Sequence, residues 1–161
     1  MRNEILELLE KDGKLAASDI AAVLGVAEEA VEEEIRALED EKIICGYTTL
    51  INWDRTDKDS VTALIEVRVT PQRGNGFDKI AERIYRFKEV KSVYLISGAY
   101  DLLVTIEGNT LKEVAFFVSD KLSPIDSVIS TATHFVLKKY KDHGKILEED
   151  RIKDERMIMW P

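Results

Sequence analysis

The chain has 161 residues and a net charge of −8, with 45% hydrophobic and 34% charged side chains. This length suits one domain or two small ones, and no apolar stretch of the sequence approaches the roughly 20 residues that a membrane helix needs. The N-terminal sequence MRNEILELLEKD is amphipathic and unlike a secretory signal, which predicts a cytoplasmic protein with no membrane partner. The single cysteine, Cys45, excludes an intramolecular disulfide, and with His134 and His143 it offers no closed metal site. We therefore expect neither a metal nor a cofactor.

The charge is distributed unevenly along the chain. Residues 1–45 contain 5 basic and 13 acidic side chains, whereas residues 46–161 contain 18 of each, so the whole net charge lies in the first quarter. This distribution predicts two modules, one acidic and one balanced.

Apolar residues at helical spacing predict three short helices in the first module. Their stripes are Ile5, Leu8 and Leu9, then Ile20, Ala21 and Leu24, then Val31, Ile35 and Leu38. Gly25 lies between the second and third stripes, where the two helices of a helix-turn-helix need a sharp connection. The third helix is expected to end at Lys42, and the apolar and β-branched segment IICGYTTLINW then predicts a strand. This is the element order of a winged helix.

The second module has the pattern of a βαββαβ fold. Alternating apolar residues predict strands at 61–70 and 100–107, and residues 90–97 and 128–137 supply two more. Stripes that begin at Phe77 and Leu111 predict two helices. This order places both helices on one face of an antiparallel sheet. We expect a second copy of the chain to cover the apolar face of the strands that begin at Val61 and Tyr100, giving a dimer.

Over about residues 1–142 the sequence resembles the Lrp/AsnC family of transcription regulators. The passages ILELLEKDGKLAASDIAAVLGV and IRALEDEKIICGYTTLINWD are similar to its DNA-binding module, and LISGAYDLLVTIEG and VISTATHFVLKKYKD are similar to its effector-binding RAM domain. The resemblance implies an α+β protein: a winged helix-turn-helix domain (1–45), a strand and linker (46–60), a ferredoxin-like RAM domain (61–141) and a C-terminal extension (142–161). It also implies a homodimer that assembles further, for example into an octamer.

The turn at residues 98–101 is the candidate ligand site. Gly98 can take a positive φ and expose backbone N–H groups to a carboxylate, while Asp101 can pair with an ammonium group. The alternative is that Gly98 only makes the turn and Asp101 caps a backbone N–H. The resemblance implies that an amino acid or related metabolite binds here between subunits. The candidate residues are Gly98, Ala99, Tyr100, Asp101, Thr131 and Thr133.

The predicted recognition helix is acidic. Glu33 and Glu34 stand where the family usually has two arginines, and the same helix adds Glu28, Glu29 and Glu32. Phosphate contacts supply much of the affinity for DNA, and carboxylates oppose such contacts. These glutamates therefore either form a solvated face, hold the helix away from DNA, or impose selectivity by repulsion. The predicted partner is double-stranded DNA. The candidate interface residues are Arg36, Lys42, Thr48, Thr49, Glu33 and Glu34.

The predicted function is that of a sequence-specific transcription regulator that responds to an amino acid or related small metabolite. The alternative is a small-molecule-binding oligomer whose acidic winged helix has lost DNA binding or binds a protein. We expect no enzyme, because His134 has Ala132 and Val136 as same-face neighbours, no second catalytic group accompanies it, and it is interpreted as structural. His143 is expected to be exposed, and the apolar residues 157–160 are expected to dock on their own or a neighbouring subunit.

Overall fold

The computed structural model describes residues 1–71, 73, 74 and 76–148. The chain divides into two compact units, Met1–Leu50 and Ile51–Pro161, with the division inside the predicted linker. No helix in the described residues is long and apolar enough to cross a bilayer. The predicted docking of residues 157–160 lies outside the described residues.

The first unit is a three-helix module, as predicted. Its helices are α1 (Arg2–Lys11), α2 (Ala17–Leu24) and α3 (Glu28–Asp40). Gly25 ends α2 with φ 68° and ψ 35°, a left-handed conformation that glycine adopts without a Cβ clash. The buried core residues come from all three helices and are Ile5, Ile20, Ala21, Val31 and Leu38.

The strand predicted over IICGYTTLINW does not form. No strand lies between α3 and Val61, and α3 ends at Asp40, so Lys42 follows the helix with φ 60°. A strand needs a neighbour that takes its backbone hydrogen bonds, and the first unit contains no second strand. Ile43, Tyr47 and Leu50 are accordingly exposed.

The second unit confirms the predicted βαββαβ order. Its main elements are β1 (Val61–Val69), α4 (Asp78–Tyr85), β2 (Val90–Leu95), β3 (Leu102–Gly108), α5 (Leu111–Phe117) and β4 (Val128–Phe135). A π-helical turn, Val118–Leu122, continues α5. The four strands form an antiparallel sheet in the order β2-β3-β1-β4. A short hairpin, β5 (Lys141–Asp142) and β6 (Lys145–Ile146), follows the sheet and was not expected.

The helices cover the more apolar face of the sheet. Ile65 of β1 and Val104 of β3 are fully buried in one core with Ile84 of α4 and Phe117 of α5. The expectation that a second copy covers this face is therefore wrong, because α4 and α5 of the same chain already do so. The opposite face, which we call the open face, carries β1, β2, β3 and β4 side chains that are half-buried or exposed, among them Leu64, Glu66, Tyr94, Leu103 and His134.

Candidate DNA interface and effector site

The helix-turn-helix presents one exposed stripe of α3. Val31 and Leu38 face the core, so residues about half a turn away face outwards. With 3.6 residues per turn, four exposed side chains form this outer stripe. They are Glu29, Glu33, Arg36 and Asp40.

Arg2 of α1 binds two of the carboxylates at α3. Its Nε donates to Glu34 Oε1 at 2.6 Å, and its terminal nitrogens donate to Glu41 at 2.7 and 3.1 Å. These hydrogen bonds lower the pKa of Glu41 and raise the pKa of Arg2. The Glu34 side chain is only 22% exposed. Of the two candidate interface residues Glu33 and Glu34, Glu34 therefore faces α1, while Glu33 lies on the outer stripe.

Four other glutamates of α3 are exposed, namely Glu28, Glu29, Glu32 and Glu33, whereas Glu39 is half-buried and accepts a hydrogen bond from the Tyr47 hydroxyl. Glu29, Glu32 and Glu33 take no hydrogen bond or ion pair from the described part of the chain, and the exposed Arg36 beside them makes none either. The other predicted DNA-binding residues follow the helix. Lys42 lies just beyond its end, and Thr48 and Thr49 are exposed in a segment without regular structure.

Asp101 closes the end of the β1–β3 pair. Its Oδ2 accepts a hydrogen bond from the Val69 N–H at 2.9 Å, and its own N–H donates to the Val67 carbonyl at 3.1 Å. The second interpretation, that Asp101 caps a backbone N–H, describes this contact. Arg68 Nε donates to the Ala99 carbonyl at 3.0 Å and so holds the turn against β1.

Gly98 makes the turn without a positive φ. A Cβ at this position would meet Ile96 Cγ2 at 3.8 Å, an ordinary contact. The prediction that Gly98 uses the left-handed region is therefore wrong, and its backbone does not require glycine. Tyr100 is half-buried in the same turn.

Thr131 and Thr133 lie apart from this turn. They pair with Val67 and Ile65 of β1 and therefore point to the helix side of the sheet, where both are half-buried. Since β1 separates β4 from β3, about 10 Å lies between the threonine strand and the strand that begins at the turn. Within one chain, the predicted ligand residues thus form two groups.

Sequence reasoning missed four side-chain contacts. The Arg2 ion pairs join residues more than 30 positions apart, and no local pattern marks them. The His134 side chain is 57% exposed on the open face, and its Nε2 lies 3.3 Å from Glu66 Oε1, a contact with a polar group that the sequence analysis did not expect. Lys121 binds Glu89 beside a groove of about 440 Å³, and this hydrogen bond lowers the Glu89 pKa against the opposing effect of desolvation. His143 is exposed, as predicted.

A helix-turn-helix unit followed by an antiparallel βαββαβ unit defines a class of two-module regulators that combine a DNA-binding domain with a ligand-binding domain. Residues 62–146 match the Lrp/AsnC ligand binding domain. The chain is 52% identical over 159 residues to the HTH-type transcriptional regulator YugG of Bacillus subtilis, covering 98% of this chain and 95% of that protein. It is 33% identical over 137 residues to the HTH-type transcriptional regulator LrpA of Pyrococcus horikoshii, covering 85% and 94%.

Solved structures show the same fold. AsnC of E. coli superposes with a TM-score of 0.64 at 20% identity, covering 86% of this chain and 91% of that chain. The L-Met complex of transcriptional regulator NMB0573 from Neisseria meningitidis superposes with a TM-score of 0.70 at 21% identity, covering 94% and 96%. The chain belongs to the Lrp/AsnC family of transcriptional regulators. Its relatives are named as regulators and not as enzymes, which agrees with the sequence prediction.

Proposed function

We propose that this regulator acts in the cytoplasm, binds double-stranded DNA through residues 1–45 and binds an amino acid or related metabolite through residues 61–141. Residues 46–60 join the two domains, and 142–161 extend the second. The α2–Gly25–α3 connection carries the DNA part of the proposal, because it leaves the outer stripe of α3 exposed. The L-Met complex of the Neisseria regulator supports an amino acid as the class of ligand.

DNA binding is tested with genomic fragments and purified full-length protein. Each phosphate contact releases counterions, so the affinity for selected fragments should fall as salt rises. The exposed cations of the first unit are few, which predicts a shallow slope. Failure to enrich any fragment at low salt would contradict the proposal.

The ligand site is proposed to lie between subunits. In one chain the 98–101 turn and the Thr131–Thr133 pair are separate groups, so a second copy is needed to bring the two kinds of residue around one ligand. Calorimetry with the standard amino acids tests this proposal. The variant Tyr94→Glu is designed to dissociate the subunits. If this variant is monomeric and still binds the amino acid, the site does not lie between subunits.

A homodimer that assembles further, for example into an octamer, is proposed from the exposed apolar surfaces. Tyr94 is 56% exposed on the open face, next to the half-buried Leu103, and Ile43, Tyr47 and Leu50 are exposed in the first unit. Such surfaces mark interaction sites. Light scattering at micromolar concentration should show at least a dimer, and Tyr94→Glu should dissociate an open-face dimer without unfolding it.

A second candidate function is a small-molecule-binding oligomer that makes no DNA contact. The acidic outer stripe favours it, because Arg36 is the one basic side chain among the described residues of α3. In that case, the protein should show no salt-dependent binding of DNA, while it still binds its ligand.

A further inference from the structure

The exposed glutamates of α3 need a role that differs from that of Glu34. Glu34 is held by Arg2 and contributes to the contact between α1 and α3. Glu33, one residue away, is exposed and takes no contact from the described residues. A free carboxylate at this position is available to an external hydrogen-bond donor.

Glu33 and Arg36 are neighbours on the outer stripe. Their i,i+3 spacing places them side by side on the helix, yet the structure shows no ion pair between them. Both charged groups are therefore free to reach the same or adjacent base pairs. This inference rests on the proposed DNA binding by α3.

The edges of the bases distinguish what these two groups can bind. An ionised carboxylate only accepts hydrogen bonds. In the major groove cytosine offers the N4 amino group as a donor, whereas adenine places its acceptor N7 beside the N6 donor and so repels a carboxylate. Guanine offers O6 and N7, which match an arginine fork. We propose that Glu33 selects cytosine and Arg36 selects guanine in the DNA site of this protein.

The charge of Glu33 also explains why such a contact is selective. A carboxylate near DNA is repelled by phosphates at every sequence, and a hydrogen bond to cytosine offsets that repulsion only at the matching site. Residues 1–45 contain five basic side chains, and Arg2 is already bound to Glu34 and Glu41. Phosphate contacts therefore supply little affinity at non-matching sequences.

The test compares DNA sites selected from a randomised duplex library by full-length wild-type, Glu33→Gln and Glu28→Gln proteins. Glutamine binds the N6 and N7 groups of adenine, so Glu33→Gln should change the preference at one position from cytosine to adenine. Replacing the selected cytosine should weaken wild-type binding about tenfold. Glu28→Gln removes the same charge from an exposed residue of α3 outside the outer stripe and should retain the wild-type preference.

The outcomes separate this inference from the proposed function. Selection of the same sites by wild-type and Glu33→Gln proteins would overturn the role of Glu33 while leaving DNA binding intact. A wild-type site without cytosine at the affected position would do the same. Absence of any salt-dependent DNA binding would contradict the proposed function as well. Because Glu33 has no partner among the described residues, its variant should retain the wild-type melting temperature, which circular dichroism checks.

Discussion

Each of the two units is stabilised internally by a different set of interactions. In the first, five buried residues form the core, and Arg2 adds ion pairs between α1 and the end of α3. In the second, thirteen buried apolar residues of the described part of the chain lie between the sheet and its helices, so the core is larger. A small acidic unit depends on where each charge lies, whereas a unit with a large core tolerates changes in its surface turns.

The largest expected effect comes from the core of the second unit. Ile65 lies in the central strand β1 and is fully buried, so Ile65→Ala should lower the free energy of unfolding by about 2–5 kcal/mol. Ile129→Ala, at a residue that is 66% exposed, should have little effect. Chemical denaturation followed by circular dichroism measures both. Equal effects of the two variants would contradict the description of this unit as dominated by its core.

Asp101→Asn tests whether the turn of the second unit acts on the ligand. Asparagine keeps an oxygen that can accept the Val69 N–H, so the fold should persist, while the charge that pairs with an ammonium group is lost. We expect amino-acid binding to weaken about tenfold, as measured by calorimetry. Glu82→Gln on α4 removes a charge outside the turn and serves as the control. Unchanged affinity in Asp101→Asn would mean that this residue only shapes the turn.

Charge reversals at the adjacent residues Glu33 and Glu34 test the different roles of these two side chains in the first unit. Glu34→Arg places a second guanidinium group beside Arg2 and should lower the melting temperature of the first unit, whereas Glu33→Arg should leave it unchanged. In DNA binding, Glu33→Arg should raise non-specific affinity and steepen the dependence of affinity on salt, because it replaces a charge that repels the phosphates with one that attracts them. Equal melting temperatures for the two variants would contradict the Arg2–Glu34 contact. An unchanged salt slope would place Glu33 outside the DNA interface.

Acid should produce the smallest effect. Hydrogen bonds from Arg2 lower the pKa of the Glu41 carboxyl from its ordinary value, and the hydrogen bond from Lys121 lowers the pKa of Glu89. A carboxylate whose pKa is lower in the folded state stabilises the protein above its unfolded pKa, and this stabilisation is lost as pH falls through the folded pKa. The melting temperature should therefore decrease as the pH is lowered from about 4.5. Arg2→Gln should weaken this acid dependence in the first unit, and an unchanged pH profile would exclude a contribution from its ion pairs.

Local sequence patterns predicted the helices and strands, whereas the wrong or missing predictions concerned contacts between residues that lie far apart in the sequence. The alternation around Ile65 and the single glycine between two helical stripes were sufficient to predict β1 and the α2–α3 turn. The strand expected near Tyr47 did not form, because pairing depends on a neighbour that sequence periodicity does not reveal. The contacts of Asp101 with Val69 and of Arg2 with Glu34 each span 32 positions. Only the fold brings such residues together.

The segment that follows α3 has no regular backbone pairing, so its rate of proteolysis can be used to measure the association of subunits. Proteases bind their substrates as extended chains, and the exposed Lys42 precedes a stretch without regular backbone pairing. Trypsin should therefore cut a dissociated chain here early. If a second copy covers Ile43, Tyr47 and Leu50, the rate of this cut should fall as protein concentration rises, so the lifetime of one peptide bond would report the association equilibrium.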